Sequence, residues 1–145
     1  MLDLKGKPFY LNDEDIKWVE STLGSLTIEE KVGQTFFLAA SQNTEDELYK
    51  LYKEIQKVAK IPMLIAANLE QGGKGACNDG TYYACQEMIA ATAHSDNAYT
   101  MGDICGKEGS AIGINYAFAP VVDIDYNWRN PVTNTRTYGS NPETI

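Results

Sequence analysis

Asn115-Tyr-Ala-Phe-Ala-Pro-Val-Val-Asp-Ile-Asp125, with Arg136-Thr-Tyr-Gly139 and Asn141-Pro-Glu143 after it, decides how the rest of the chain is read. Residues 116–121 have the composition of a buried strand, and the run ends on carboxylates. A long polar loop carrying Arg136 follows. It closes on a helix start, with Asn141 as N-cap, Pro142 at the first helical position and Glu143 in the first turn. A strand that hands charged residues to a loop and then to a helix is the unit from which a parallel α/β barrel builds its active face. The expected helix has only begun when the sequence reaches Ile145.

The preceding sequence repeats that unit. Pro62-Met-Leu-Ile-Ala-Ala67 is apolar without alternation, as suits a parallel strand covered on both faces. Gly72, Gly73, Gly75 and Gly80 mark a loop. Helices are expected over about residues 82–93 and then from a cap at Asp96 to about Ile112, with Gly113 as the stop. Gly102, Gly106 and Gly109 inside the second helix each cost about 1 kcal/mol against Ala, and they allow it to pack closely on a neighbour. Upstream, Thr44-Glu-Asp-Glu47 is a capping box, and Leu48, Leu51, Tyr52, Ile55 and Ala59 form one apolar stripe. That helix should end near Lys60, because Pro62 disfavours helix in the residue before it.

Thr27-Ile-Glu-Glu30 is a second capping box, opening a short helix that runs into a first strand at residues 36–40. Asn12-Asp-Glu-Asp15 starts a helix to about Leu23, so residues 1–25 form a leading helical segment. Strands alternating with helices indicate a parallel sheet, either barrel or doubly wound. Gly72-Gly-Lys-Gly75 has neither the GxGxxG order nor the GxxxxGK[ST] spacing, so no phosphate fingerprint supports the open sheet.

The composition narrows the partners. The chain has 145 residues, 43% of them hydrophobic, and a net charge of −8. That charge argues against nucleic acid and anionic membrane, which need clustered Lys and Arg. No apolar run approaches the ~20 residues of a membrane helix. Residues 1–12 lack the basic start and apolar middle of a signal peptide, so the expectation is a cytoplasmic protein. Cys77, Cys85 and Cys105 are odd in number and not in CxxC spacing, which fits a reducing compartment. With one histidine, His94, no Cys/His metal cluster is expected.

Three segments then carry a resemblance: Leu26-Thr-Ile-Glu-Glu-Lys-Val-Gly-Gln-Thr-Phe-Phe37, Ile61-Pro-Met-Leu-Ile-Ala-Ala-Asn-Leu-Glu-Gln-Gly-Gly73, and Gly113-Ile-Asn-Tyr-Ala-Phe-Ala-Pro-Val-Val-Asp123 running on to Gly139. In this order they resemble the N-terminal portion of the (β/α)8 catalytic domain of glycoside hydrolase family 3, especially its β-N-acetylhexosaminidase branch. The resemblance covers roughly residues 12–145. It implies a truncated TIM barrel of about three βα units, since a complete one takes about 250 residues. It also implies a carbohydrate substrate, no cofactor, and retaining hydrolysis of terminal β-linked N-acetylglucosamine. β-Glucosidase specificity and a non-catalytic sugar-binding module are the alternatives. In that branch the acid/base is a His–Asp pair following a Lys-His…Pro-Gly-His motif, and the nucleophile is a later aspartate. None has a counterpart in residues 1–145. The resemblance therefore places the nucleophile and the acid/base after Ile145, so no catalytic residue is expected within this chain and the chain alone is expected to be inactive.

Sites in such barrels gather at the carboxyl ends of the strands. Those positions are Asn68 and Glu70 after one strand, and Asp123, Asp125 and Arg136 after the next. The resemblance implies a sugar-binding Asp where this chain has Asn68. An amide still donates and accepts but is a weaker acceptor than a carboxylate, and Glu70 is placed to cover part of that role. Arg136 matches the family arginine that faces the substrate. Two readings stay open for it: a fork on the sugar, or an ion pair with Asp123 or Asp125. Asp123 and Asp125 either contact sugar or accept loop N–H groups. Tyr126 and Trp128 are placed on the same loop to line a sugar pocket, whereas Tyr82, Tyr83 and Tyr99 read as helix packing. His94 reads as a helix junction away from the strand ends.

Overall fold

A parallel pairing of two short strands organises the computed structural model, which describes residues 2–36 and 43–143. Strand β1 (Ala66–Ala67) lies beside β2 (Tyr116–Ala117), with Ala66 opposite Tyr116 and Ala67 opposite Ala117. The N–H groups of Asn115 and Tyr116 both donate to the Ile65 carbonyl at 3.1 Å, and Phe118 N–H donates to Ala67 at 2.9 Å. Side-chain amides hold the remainder of the apolar runs. Ile65 N–H donates to Asn115 Oδ1 at 2.8 Å, and Asn115 Nδ2 donates to the Met63 carbonyl at 3.1 Å. Gln56 exchanges two further bonds with the Met63 backbone, each 2.9 Å. The strands are therefore shorter than their apolar composition suggests. Pro120, with no N–H to donate, bounds the second one.

Helix α1 (Asp13–Ser25) and helix α2 (Ile28–Gly33) belong to one compact unit, Met1–Phe36; the remainder of the chain forms another. Both helices start on the expected caps. Asn12 Oδ1 accepts from Glu14 and Asp15 N–H at 2.9 Å each, and Glu30 reaches back to Thr27 N–H at 2.8 Å. Apart from Phe36, the strand expected at residues 36–40 lies outside the described residues.

In the second unit, α3 (Glu45–Val58) begins on the Thr44–Glu47 box and buries Leu48 and Tyr52, while Leu51 of the expected stripe is exposed. Helices α4 (Gln86–Ala91) and α5 (Ser95–Ala111) connect β1 to β2, completing a βαβ crossover. Their core contains Leu48, Tyr52, Ile65, Leu69, Ile89, Met101, Cys105, Ile112 and Ile114. Tyr82 and Tyr83 precede α4 rather than lying in it. The Tyr83 N–H donates to the Gln71 carbonyl at 2.7 Å, and the Thr81 carbonyl accepts from Lys74 N–H at 3.1 Å, so this segment pairs with the Gly-rich loop.

Asp96 does not cap α5. The N-cap is His94, whose side chain makes no capping bond, and Thr92 Oγ1 accepts from His94 N–H at 3.3 Å instead. Close helix packing falls to Gly109 alone: a Cβ there would sit 2.5 Å from Leu69 Cδ1, whereas Gly102 and Gly106 meet nothing within 4 Å. The cap at Asn141 forms, accepting from Glu143 N–H at 3.1 Å. The helix expected to follow it would run through Thr144 and Ile145, which lie outside the described residues. Among the described residues no helix is long and apolar enough to cross a membrane.

Candidate functional site

Because β1 and β2 run parallel, the chain leaves both at the same edge of the pair. One loop starts at Asn68; the other runs from Phe118 to Gly139. Glu70 and Arg136 join them. Arg136 Nε donates to Glu70 Oε2 at 2.8 Å, and Nη2 donates to Oε1 at 2.7 Å. This is the bidentate fork that guanidinium geometry favours. Nη1 donates to the Val132 carbonyl at 3.1 Å. Three of the five guanidinium N–H donors are thereby used, and two remain for a ligand. The hydrogen bond with Glu70, followed by its charge, raises the Arg136 pKa above the ordinary arginine value, so the site holds a fixed cation.

A buried amide sets the backbone beneath that cation. Gln86, at the start of α4, is 1% exposed. With its amide oriented to satisfy both neighbours, the oxygen accepts from Val121 N–H at 3.1 Å and the nitrogen donates to the Arg136 carbonyl.

Asn68, Glu70 and Arg136 line a cavity of about 290 Å³ whose lining residues are mostly of polar type, together with Gln71, Lys74 and Tyr82. Three of the five strand-end residues singled out in the sequence therefore come together. Asp123 does not join them: it is exposed and off this cavity. The ion partner of Arg136 is Glu70, rather than Asp123 or Asp125. Past Ala117 the chain leaves the ladder, and Asp125 N–H donates to the Gly139 carbonyl at 2.9 Å, which sets that segment against the end of its own loop. Glu70 also lines an apolar cavity of about 220 Å³ with Leu69, Met101, Cys105, Ala117 and Tyr138. The expectation that the nucleophile and acid/base follow Ile145 concerns sequence outside the described residues, as Ile145 itself is.

Tyr126 and Trp128 are largely exposed and line neither cavity; Trp128 carries the Arg129 guanidinium 4.6 Å over its ring. Tyr82, expected to pack in a helix, supplies the aromatic wall instead. Lys74 was visible in the sequence only as part of a glycine-rich loop, and Gln86 gave no signal at all. His94 sits at the α4–α5 junction, as its neighbours suggested. The three cysteines are free and buried. Burial pushes the Cys77 and Cys105 thiols up, which suits packing and not nucleophilic attack.

Residues 8–145 match the glycosyl hydrolase family 3 N-terminal domain. The chain is 36% identical to a beta-N-acetylglucosaminidase/beta-glucosidase of Cellulomonas fimi, over all of this chain and 30% of that protein. It is 31% identical to beta-hexosaminidase A of Pseudoalteromonas piscicida, over 78% of this chain and 20% of that one. Of solved structures, beta-glucoside phosphorylase BglX superposes with a TM-score of 0.87 at 41% identity, covering 98% of this chain and 29% of that one. The chain thus spans under a third of the length of each of these relatives.

Proposed function

The chain belongs to glycosyl hydrolase family 3, and on that premise we propose that it supplies one wall of the sugar pocket in a retaining β-glycosidase acting on terminal β-linked N-acetylglucosamine. The observation that carries the proposal is the Glu70–Arg136 fork, held beside Asn68 where two parallel strands release their loops. A neutral sugar presents hydroxyls that both donate and accept. Arg136 offers N–H donors, Asn68 offers both functions, and Glu70 keeps unused lone pairs. The Tyr82 ring offers a flat apolar face to the sugar's C–H side.

Retaining hydrolysis needs two further groups. A carboxylate attacks the anomeric carbon while an acid protonates the departing oxygen, and water then releases the sugar from the enzyme. Within the cavity that Asn68 and Arg136 line, the acidic side chain is Glu70, which is committed to Arg136. We therefore assign neither catalytic role to the residues of this cavity, and expect no hydrolysis from residues 1–145 alone. The mechanism as proposed uses no metal or organic cofactor. Three buried free thiols support a reducing compartment, the cytoplasm.

A second reading has β-glucosides as substrate, with phosphate in place of water as acceptor. It is favoured by the likeness to the beta-glucoside phosphorylase, and by Lys74, a cation lining the same cavity. Aryl N-acetyl-β-glucosaminide and aryl β-glucoside, each given to the full-length protein with and without inorganic phosphate, separate the two. The first reading expects faster turnover of the glucosaminide, with free sugar as product whether or not phosphate is present. A tenfold preference for the glucoside, or a sugar 1-phosphate product, overturns it. Saturable sugar binding without turnover indicates a binding module.

A further inference from the structure

We propose, on the glycosidase reading given above, that Glu108 is a positioning residue of the sugar pocket: from α5 its carboxylate clasps both ends of the loop at residues 72–81. Glu108 Oε2 accepts from Gly73 N–H at 2.9 Å and from Thr81 N–H at 3.0 Å. A carboxylate accepting two backbone amides makes stronger bonds than a neutral acceptor does. Three residues earlier, on the same helical face, Cys105 Sγ accepts from Gly72 N–H at 3.2 Å. The approach is close: a Cβ at Gly73 would collide with the Glu108 carboxylate, so a side chain there would have to push that carboxylate away from the two amides it accepts from.

The clasp points are the immediate neighbours of the pocket residues. Gly73 precedes Lys74, and Thr81 precedes Tyr82; both Lys74 and Tyr82 line the cavity that Asn68, Glu70 and Arg136 share. Between them the loop is laced by Lys74 N–H to the Thr81 carbonyl and by Tyr83 N–H to the Gln71 carbonyl. Its tip is tied to the start of α3, where Asp79 Oδ1 accepts from Glu45 N–H at 2.8 Å. Those ties hold the loop's width and its far end. The three α5 contacts, two to Glu108 and one to Cys105, fix where its near end sits beside Asn68 and Glu70. A binding group displaced by about 1 Å loses much of its contribution, and a supporting shell of this kind holds it in place.

The test compares full-length wild type with Glu108→Ala, Glu108→Gln and, as control on the exposed side of the same helix, Lys107→Ala. Two readouts are taken: amide hydrogen exchange over residues 72–82, and KM and kcat for aryl N-acetyl-β-glucosaminide. Glu108→Ala should quicken exchange at Gly73 and Thr81 at least tenfold and raise KM at least fivefold, with kcat within threefold of wild type. Glu108→Gln keeps an accepting oxygen and should recover at least half of each change; Lys107→Ala should match wild type. Unchanged exchange in Glu108→Ala overturns the clasp, and quicker exchange with KM within twofold of wild type overturns its bearing on the pocket. If Glu108→Ala does not fold, Glu108→Gln decides alone, with threefold quicker exchange supporting the clasp and none overturning it. Absence of wild-type turnover sinks the glycosidase reading and not the clasp; the exchange result and the dissociation constant for N-acetylglucosamine then decide it.

Discussion

Glu70 and Arg136, 66 positions apart in sequence, meet through two hydrogen bonds of 2.8 and 2.7 Å and so tie together the loops that follow β1 and β2. The partners are unequally shielded: the Glu70 side chain is 10% exposed and that of Arg136 40%. Their removal should therefore cost unequally. Without Arg136 a shielded carboxylate loses its counter-charge, whereas without Glu70 the arginine still reaches water.

Arg136→Met should destabilise the fold by about 3 kcal/mol, the lower end of what an orphaned buried charge costs. Glu70→Gln should cost about 1 kcal/mol or less. Urea unfolding of the two variants checks the asymmetry. Equal losses would mean that the pair is shielded equally on both sides.

Gln86→Leu should remove both partners at once from Val121 N–H and the Arg136 carbonyl. Leaving buried backbone groups unpaired costs about 1–3 kcal/mol each. The variant should lose about 2 kcal/mol in urea unfolding and should also bind N-acetylglucosamine more weakly, since the cation's backbone moves. A stability loss with unchanged sugar affinity would separate Gln86 from the site.

The three glycines of α5 should respond with opposite signs. Gly102→Ala and Gly106→Ala meet open space, so each should stabilise by up to about 1 kcal/mol through helix propensity. Gly109→Ala drives a methyl against Leu69 Cδ1 and should destabilise by about 1–2 kcal/mol, overpacking outweighing propensity. Thermal unfolding of the three variants reads the signs directly.

Burial is the leading cause that raises the Cys77 and Cys105 thiols. Unfolded thiols titrate near 8.5. Below that both states are protonated and the thiols' contribution to stability is intact. As pH rises through about 8.5 the unfolded thiols ionise first, and stability is lost until the higher folded values are passed. The urea midpoint should therefore fall from pH 8 to pH 10, and it should fall less in Cys105→Ala.

Much of this was legible locally. The caps at Asn12, Thr27 and Thr44, the ends of α3 and α5, and the two parallel strands follow from residue type and short-range spacing, because a cap bond spans only three positions. Asn68, Glu70 and Arg136 were legible because each follows a strand end. The partner of Arg136 was not: Asp123 and Asp125 are near in sequence, while Glu70 is near only after α4 and α5 have folded back. Tyr82 was misread for a related reason. Its segment looks helical until its backbone pairs with residues 71–74, a contact that spacing does not encode.

The most direct test of the sugar pocket is the kcat/KM of the full-length protein for aryl N-acetyl-β-glucosaminide, compared between wild type and Arg136→Ala. Losing one or two charge-assisted bonds to substrate should cost about 2–4 kcal/mol of transition-state stabilisation, a fall of about thirtyfold to a thousandfold. A fall of less than about threefold in a variant that remains folded would contradict the pocket and leave Arg136 as a tie between two loops.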